Sequence, residues 1–537
     1  MTRGSAGEVS VEPTAQTVDA EAAAGAGLRE PGLLGAAGLV TAITLLGSAL
    51  GLLRDLSIAA FFGATGATDA FVVAWTIPET ATPLLMEGAL AALLVPLFSH
   101  ELERKGSFKE ALGGLLLPVA GFLALLTALT AVAAPLLVDV LAPGLAERAT
   151  GIRSVRVASL TILWLGLSGY LMAGLRARQV FGWPAAVYIA YNVGILSMIL
   201  LFHDSLGILS ASIGLAVGGA AMVLVQLPAF ARVVGFPRPT LRPPRELMQR
   251  LAAFLPLVSY SLGRHSQVFV ERFAGSILSA GTISQLNYAT KVGQMPMLLA
   301  VSVSLVTLPA LSRSAAGGRE DRFRSLVERN LRLVAYCIVP VTGFLVVFAP
   351  NLVALLFQRG AFDAADTSAT AAILRVYALG LLGQVWVVVC VEALVARPGR
   401  TWQPARAALW GLLLTAACAA AATPLLGAPG IALANVAGIS LMAVLLLRRL
   451  PTGATAIELA GLWRLLLACA AAAAGAAALT GAARALLPDV SVAAQLGVVV
   501  VGGLCFAALY ALGTRLLGVP ETARVLRLAA RQRARWL

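Results

Sequence analysis

Long apolar runs are the feature that most limits how this chain can fold. Of its 537 residues, 59% are hydrophobic and 12% are charged, and the mean hydropathy is +0.87. A helix that crosses a bilayer needs about 20 predominantly apolar residues, and about fourteen stretches of the chain meet this requirement. They centre near 34–58, 70–98, 110–140, 153–175, 185–202, 206–230, 248–275, 284–311, 328–357, 369–395, 403–425, 429–447, 460–486 and 492–516. The sequence therefore predicts an all-α polytopic membrane protein with about fourteen transmembrane helices.

Basic residues occupy every second connection between these predicted helices. The formal net charge is +14, but the loops at 202–205, 275–284 and 425–430 contain neither lysine nor arginine. Cytoplasmic loops of membrane proteins carry such an excess of basic residues. The pattern predicts that both termini lie in the cytoplasm. It assigns the positive charge to membrane topology, so nucleic acid is not expected as a partner.

The order of the predicted spans divides the chain into five segments. Residues 1–30 are polar and are expected to form a disordered cytoplasmic tail, and residues 519–537 a basic cytoplasmic tail. Residues 31–235 and 236–450 each contain six predicted helices, and 451–518 contains two more. A weak repeat relates the halves, since "VPLFSHEL" ends the second predicted helix and "LPALSRSA" the eighth. Two pseudo-symmetric six-helix lobes indicate a transporter whose site lies between them.

The sequence contains no motif that supports catalysis or metal binding. Its cysteines and histidines lack the spacing of metal ligands or of a disulfide framework. A phosphate-binding Walker A loop and a dinucleotide-binding glycine fingerprint are both absent in any usable context. The expectation is a protein that is not an enzyme and that needs neither a metal nor a cofactor.

Charged residues interrupt the apolar stretch at 51–90, which begins "GLLRD". Four of them are Arg54, Asp55, Asp69 and Glu87. A charge at the centre of a membrane helix costs about 2.5–3.5 kcal/mol on insertion scales, so it usually faces the protein interior or an aqueous cavity. Two interpretations stay open. The residues form ion pairs that hold the first two helices together, or they line a polar cavity in which Arg54 binds an anionic group.

The second half supplies a matching set of polar residues. Helical spacing places Arg264, Gln267 and Glu271 on one stripe and His265 and Arg272 on an adjacent one. Lys291 follows in the next predicted helix. Only three of the 40 basic residues are lysines, and the other two share one predicted cytoplasmic loop. Lys291 is therefore interpreted as a cavity residue, with a snorkelling side chain near a helix end as the alternative.

Several motifs resemble a known family. "FGATGATDAFVVAWTIP" and "EGALAALLVPLFS" are similar to the N-terminal signature of the MurJ (MviN) family of lipid II flippases, and "ERFAGSILSAGTISQLNYATKVGQMP" to its second-half counterpart. The likeness covers roughly residues 33–450. It identifies the chain as a divergent member of the multidrug/oligosaccharidyl-lipid/polysaccharide exporter superfamily. The resemblance implies two six-helix lobes around a cationic cavity, with a lipid-tail groove formed by the last two helices.

The resemblance also implies an activity and a location. Members of the family move lipid II, a peptidoglycan precursor linked to a polyprenyl diphosphate, from the inner to the outer leaflet of the bacterial cell membrane. Alternating access is the expected mechanism, coupled to the membrane potential or to Na⁺ or H⁺. Membrane lipids and cell-wall synthesis proteins are the expected partners.

The chain departs from the family pattern at several cavity positions. Arg54 matches the family's arginine, whereas Lys291 stands where an essential cavity arginine is usual. Ser48, Thr82 and Pro83 stand where many members have arginines. A lysine keeps the charge but lacks the bidentate fork that suits phosphate. The departures therefore leave the identity of the lipid-linked substrate open.

Three alternatives to flipping of lipid II remain. They are export of another polyprenyl-linked glycan or amphiphile, ion-coupled antiport of drugs, and a scaffold without transport. The residues predicted to bind substrate are Arg54, Asp55, Asp69, Glu87, Arg264, Glu271, Arg272 and Lys291. Basic residues at least balance acidic ones in this set, which favours an anionic lipid over a cationic drug.

Overall fold

The computed structural model describes residues 31–87, 108–240, 245–297, 311, 313–315, 317–395, 397, 402–450, 457–486 and 492–522. The predicted tail at 1–30, most of the tail at 519–537 and the repeat segment at 95–102 lie outside these residues. The described residues form helices and short connections without a strand. The all-α prediction is confirmed for this part of the chain.

Seventeen α-helices form the described part of the chain. The first seven are α1 (Pro31–Phe62), α2 (Gly66–Thr82), α3 (Phe108–Val132), α4 (Ala134–Leu141), α5 (Arg148–Ala177), α6 (Gly182–Leu206) and α7 (Leu209–Val233). The next eight are α8 (Arg245–His265), α9 (Gln267–Ser276), α10 (Thr282–Gln294), α11 (Glu320–Phe357), α12 (Ala364–Leu379), α13 (Leu381–Val395), α14 (Trp402–Leu426) and α15 (Ala428–Leu447). The last two are α16 (Ile457–Leu486) and α17 (Val492–Leu516). We call α1–α7 the first bundle, α8–α15 the second bundle and α16–α17 the terminal pair.

Ten of the described helices are long and apolar enough to cross a membrane. The number becomes eleven if α12 and α13, which meet at a bend of 42°, form one span. The predicted count of fourteen is not confirmed. The three remaining predicted spans, 70–98, 248–275 and 284–311, contain α2, α8 with α9, and α10. These helices are shorter or more polar than the others, and two of the three spans run into residues outside the described part.

The second helix changes its hydrogen-bonding pattern at a proline. The hydroxyl of Thr65 caps the N-terminus of α2 by accepting from the Thr68 N–H, and Pro78 lies within the helix. Pro83 then begins a π turn over Pro83–Glu87. Because proline lacks an N–H, it cannot continue the α-helical ladder. The α-helical pattern of α2 therefore ends at this proline.

The first bundle is built around α5. This helix packs against α2, α3 and α7, while α6 packs against α7 and α1. Fully buried side chains from α2, α4, α6 and α7 form one of its apolar clusters, which includes Phe71, Val138, Ile195 and Leu215. The side chain of Ile283, from the second bundle, joins the same cluster. The two bundles therefore share part of one core.

The second bundle carries the terminal pair on its longest helix. The 38 residues of α11 pack against α12 and α13 and also against α16 and α17. Phe348 of α11 and Phe506 of α17 belong to a cluster that joins the terminal pair to the bundle. On another side, α8 and α9 pack against α14. This arrangement leaves α9 and α10 facing the first bundle.

Candidate functional site

A cavity of about 500 Å³ lies between the two bundles. Helices α1, α2 and α6 form one side of it, and α8, α9 and α10 form the other. The wall contains Thr44, Gly47, Ser48, Gly51, Arg54, Trp75, Glu79, Thr80, Thr82, Pro83, Tyr188, Tyr191, Asn192, His265, Val268, Glu271, Arg272, Asn287, Thr290, Lys291 and Gln294. Ionisable residues inside a membrane protein commonly mark a substrate pathway. This cavity is therefore the candidate site.

Arg54 is held by three different groups of the first bundle. Its Nε and Nη2 donate to Oδ1 of Asp55 at 3.0 and 2.9 Å, and its Nη1 donates to Oδ1 of Asn192 on α6 at 2.9 Å. The guanidinium carbon lies 4.3 Å from the ring centroid of Trp75 on α2. Arg54 is 7% exposed and Asp55 6%. The residue thus joins α1 to α2 and α6 while it lines the cavity.

Lys291 crosses from the second bundle to the first. Its Nζ donates to Oε1 of Glu79 on α2 at 2.6 Å, and the same ammonium lies 4.9 Å from the ring centroid of Trp75. One indole ring therefore contacts Arg54 from its own bundle and Lys291 from the other. Because the side chains of Lys291 and Glu79 remain partly exposed, a ligand in the cavity can reach this pair.

Arg272 also reaches across the boundary between the bundles. Its Nε donates to Oγ1 of Thr76 on α2 at 3.1 Å, and its Nη2 donates to Oδ1 of Asn287 on α10 at 3.2 Å. Its Nη1 is buried and has no hydrogen-bond partner among the described residues. A buried guanidinium with an unused donor favours a negatively charged or hydrogen-bond-accepting ligand.

Glu271 lies between the main cavity and a smaller pocket of about 130 Å³. Its Oε1 accepts from Nδ2 of Asn435 on α15 at 2.7 Å. The predicted stripe of Arg264, Gln267 and Glu271 is found on the wall of this pocket, although Ser266 separates α8 from α9. In the described part of the chain, Gln267 Nε2 and Arg264 Nη1 are buried without a hydrogen-bond partner. The smaller pocket is a polar extension into the second bundle.

Asp69 connects the bundles at one end, away from the cavity wall. Its Oδ2 accepts from the Gly281 N–H at 2.7 Å, and its Oδ1 accepts from the N–H and the hydroxyl of Ser284 at 2.7 and 2.6 Å. These N–H groups belong to the first turn of α10, where a carboxylate is favoured by unpaired donors and by the helix dipole. Asp69, on α2, thus caps a helix of the other bundle. We call this region the closed end.

Backbone contacts complete the closed end. The Ala361 N–H donates to the carbonyl of Ala60 at 2.8 Å, so the α11–α12 connection meets the end of α1. The Ala64 N–H donates to Oδ2 of Asp366 at 3.3 Å. A Cβ added to Gly281, which has φ +93°, would overlap the carbonyl of Ala64. Glycine is needed here for both its left-handed backbone and its lack of a side chain.

An apolar groove of about 310 Å³ lies on the terminal pair. Its walls come from α16 and α17 and consist of Leu479, Thr480, Ala494, Gly497, Val498, Val501 and Gly502. Apart from the threonine hydroxyl, these side chains offer no polar group. The groove differs in chemistry from the charged cavity and suits a hydrocarbon chain.

The structure brings together part of the predicted site. The predicted residues that line the main cavity are Arg54, Glu271, Arg272 and Lys291. Arg264 lies in the smaller pocket, and Asp55 pairs with Arg54. Asp69 lies at the closed end instead of on the predicted cavity wall, because its carboxylate caps α10. The side chain of Glu87 lies outside the described part of the chain.

Glu79 is not among the residues that the sequence predicts for the site. This residue lies in the same stretch as Arg54 and Asp69, and its charge was a usable signal. Its pairing with Lys291 could not be read from the sequence, because the partners are 212 positions apart. Ser48, Thr82 and Pro83, where the family resemblance implied arginines, do line the cavity. The wall carries three cations, Arg54, Arg272 and Lys291, and two carboxylates, Glu79 and Glu271. Its positive and negative charges are therefore nearly equal in number.

Comparison with known proteins gives a consistent result. A family model described as lipid II flippase MurJ matches residues 58–500. The lipid II flippase MurJ of Burkholderia cenocepacia is 27% identical over 421 residues, which cover 76% of this chain and 81% of that protein. A probable lipid II flippase MurJ of Rhizobium meliloti is 31% identical over 414 residues, which cover 73% and 76%.

Solved structures show the same fold. A lipid II flippase MurJ in an inward closed conformation superposes with a TM-score of 0.73 at 20% identity, covering 89% of this chain and 99% of that chain. An inward-facing multidrug resistance MATE transporter of the MOP superfamily superposes with a TM-score of 0.64 at 14% identity, covering 78% and 98%. At these identities the likeness shows a shared architecture.

Proposed function

The chain belongs to the lipid II flippase MurJ family, and on that premise we propose that it flips lipid II by alternating access. Lipid II is a peptidoglycan precursor whose headgroup is attached to a lipid through an anionic linkage. The protein acts as a multi-pass membrane transporter rather than as an enzyme. Its location is the bacterial cell membrane, with both termini in the cytoplasm.

The observation that carries the proposal is the cavity between the bundles. Arg54 comes from the first bundle, and Arg272 and Lys291 come from the second. Cations from both sides can therefore bind one anionic headgroup, with charge-assisted contacts of about 1.5–3 kcal/mol each. Asp69 and the neighbouring backbone contacts close one end. Rocking of the bundles around a bound headgroup would open that end and close the other.

The proposed orientation places the closed end at the outer surface. The basic loops then face the cytoplasm, and the cavity receives the headgroup from the inner leaflet. Outward movement of an anion is favoured by an inside-negative potential, by about 2.3 kcal/mol per charge per 100 mV. We therefore propose that the membrane potential drives transport and that transport needs no cofactor. Imposed Na⁺ or H⁺ gradients in proteoliposomes would reveal any additional coupling.

The terminal pair is proposed to hold the lipid tail. Its apolar groove would keep the hydrocarbon chain in contact with protein while the headgroup occupies the cavity. On this proposal, 31–235 and 236–450 act as the two moving lobes, and 451–518 acts as the tail-binding unit. Cell-wall synthesis proteins that use the flipped lipid are proposed partners.

The alternative functions are not favoured. The family model describes lipid II flippases, and the relatives reported above carry the same name. The likeness to a MATE transporter is a likeness of fold only. The decisive experiment is rescue of a bacterium depleted of its own lipid II flippase. Growth with this chain is expected. Correct membrane insertion without growth would contradict lipid II as the substrate.

A further inference from the structure

Glu79 places a negative charge inside a site that is proposed to bind an anion. Its Oε1 lies 2.6 Å from Nζ of Lys291, and the two side chains remain 33% and 24% exposed. Glu79 belongs to the first bundle and Lys291 to the second, so the ion pair crosses the cavity. The ammonium of Lys291 is therefore bound by a carboxylate of the protein itself.

Trp75 fixes the position of this ion pair. The ring centroid lies 4.9 Å from Nζ of Lys291 and 4.3 Å from Cζ of Arg54, and both cations are attracted to the aromatic face. Glu79 follows Trp75 by four residues, so the ring and the carboxylate lie on one face of α2. Two cations and one carboxylate thus share a small volume at the boundary between the bundles.

We propose that Glu79 is a tethered competitor for the anionic group of the substrate. Its carboxylate binds Lys291, and a ligand has to displace or repel it in order to use that ammonium. The inference rests on the proposed transport of a lipid with an anionic headgroup. It assigns to Glu79 a specificity role that the sequence motifs do not contain.

The consequence is selection for ligands of high charge density. A monophosphate, with about 1.5–2 negative charges and three acceptor oxygens at pH 7, replaces the Glu79 carboxylate at Lys291 and gains little beyond that exchange. A diphosphate carries more charge and more acceptor oxygens, so it can bind Lys291 and Arg54 together. Displacement of Glu79 is then favourable. The cavity should therefore prefer a lipid diphosphate to a lipid monophosphate, and Glu79 should cause much of that preference.

A purely structural role for Glu79 gives a different expectation. Ion pairs exposed to this extent contribute little to folding, and the closed end is formed by Asp69, Gly281 and Ser284 without Glu79. Glu79→Gln should therefore leave the fold intact. If Glu79 only joined the bundles, its replacement would lower stability and would not improve the binding of any anion.

The test is direct binding of farnesyl diphosphate and farnesyl monophosphate to the purified full chain in nanodiscs. Glu79→Gln is expected to bind the monophosphate about tenfold more tightly than the unaltered chain, since a partly desolvated charge repulsion is removed. The ratio of the Kd for the monophosphate to the Kd for the diphosphate should therefore decrease. Glu79→Asp keeps the charge and should keep the preference for the diphosphate. The double variant Glu79→Gln, Lys291→Gln should lose the tighter binding of the monophosphate.

A matched control removes a paired carboxylate outside the cavity. Glu328 pairs with Arg324 at 2.9 Å on α11, so Glu328→Gln should bind both probes as the unaltered chain does. If the unaltered chain binds the diphosphate and Glu79→Gln binds neither probe more tightly, the role of Glu79 is refuted and the flippase proposal stands. If neither protein binds either probe, the role of Glu79 is refuted, and rescue of growth decides the flippase proposal separately. Melting temperatures of all variants separate these outcomes from misfolding.

Discussion

Arg54 and Asp55 show how a buried charge pair is maintained in a membrane protein. Their side chains are each 8% exposed and lie 2.9 Å apart, and Asn192 occupies a further donor of the guanidinium. The sequence left open whether Arg54 forms an ion pair or lines a cavity. The structure shows that it does both. A ligand would meet a guanidinium that is already oriented, which lowers the cost of ordering it on binding.

Replacement of Arg54 by alanine is expected to reduce the amount of folded protein. The change leaves the carboxylate of Asp55 buried without its partner, and loss of one member of a buried pair costs about 3–5 kcal/mol. Adding Asp55→Asn should restore folding but not transport. The measurements are thermal unfolding of the purified protein and rescue of growth. Transport by the double variant would show that the cavity does not need Arg54.

Replacement of Lys291 by arginine is expected to preserve or increase transport. A guanidinium keeps the charge, stacks on Trp75 and has enough donors to bind Glu79 and a phosphate oxygen at once. Lys291→Ala should abolish transport, because it removes the cation of the second bundle that shares the Trp75 ring with Arg54. Flipping of a fluorescent lipid in proteoliposomes measures both variants. Activity of Lys291→Ala equal to that of the unaltered chain would contradict the site.

At the scale of helices, irregular elements contribute to both the cavity and the closed end. The π turn after α2 begins at Pro83, the interruption between α8 and α9 lies at Ser266, and the left-handed residue Gly281 immediately precedes α10. Regular apolar helices surround them. Breaks in membrane helices expose backbone groups, which are tolerated where other protein groups or a cavity satisfy them. The Asp69 carboxylate at the start of α10 is such a case.

Replacement of Gly281 by alanine is expected to weaken the closed end. The new Cβ would overlap the carbonyl of Ala64, and the residue would keep an unfavourable left-handed backbone. A loss of about 1.4 kcal/mol would raise the open population about tenfold. A cysteine at Thr290, on the cavity wall, should then react faster with an impermeant thiol reagent added outside the cell.

A second glycine provides the control for that experiment. Gly207 has φ +56° and would bring an added Cβ into open space, so Gly207→Ala introduces backbone strain without a contact between the bundles. It should leave the reactivity of the Thr290→Cys variant unchanged. Equal effects of the two substitutions would assign the change to local strain and refute a role of Gly281 in closure.

At the scale of the whole molecule, the two bundles touch at the closed end and separate around the cavity. The contacts at the closed end use backbone atoms and the carboxylates of Asp69 and Asp366, whereas those along the cavity use long charged side chains. Short backbone contacts fix one geometry, while ion pairs between long side chains can be exchanged for a ligand. This difference suits a protein whose bundles rotate about a bound headgroup.

The proposed orientation predicts which residues an impermeant reagent can reach. In a background without the native cysteines, cysteine at Ser205 or Ala280 should be labelled from outside the cell, because both are exposed and follow an odd-numbered predicted span. Cysteine at Ser325, exposed on the first turns of α11, should be labelled only after permeabilisation. Labelling of Ser325→Cys in intact cells would contradict the orientation.

Apolar runs determined most of the fold from the sequence. A stretch of about 20 apolar residues has few alternatives to a spanning helix, so the spans that pass the length and hydropathy criteria agree with the prediction. Three predicted spans do not pass them, and these three contain Glu79, Glu271, Arg272 and Lys291 of the cavity wall. The partners of their charged residues lie too far along the chain to be identified by spacing, as the 212 positions between Glu79 and Lys291 show.

The sequence by itself determined the helical class, the family and four of the residues that line the cavity. Only the tertiary structure placed Asp69 at the start of α10, brought Glu79 to Lys291 and set Arg54 and Lys291 on one indole ring. The physical reason is the range of the interactions involved. The hydropathy of a helix is a property of consecutive residues and can be read from the sequence. An ion pair or a capping carboxylate depends on how helices from different bundles pack. The sequence therefore predicts where charge is present, and the packing decides which charge meets which.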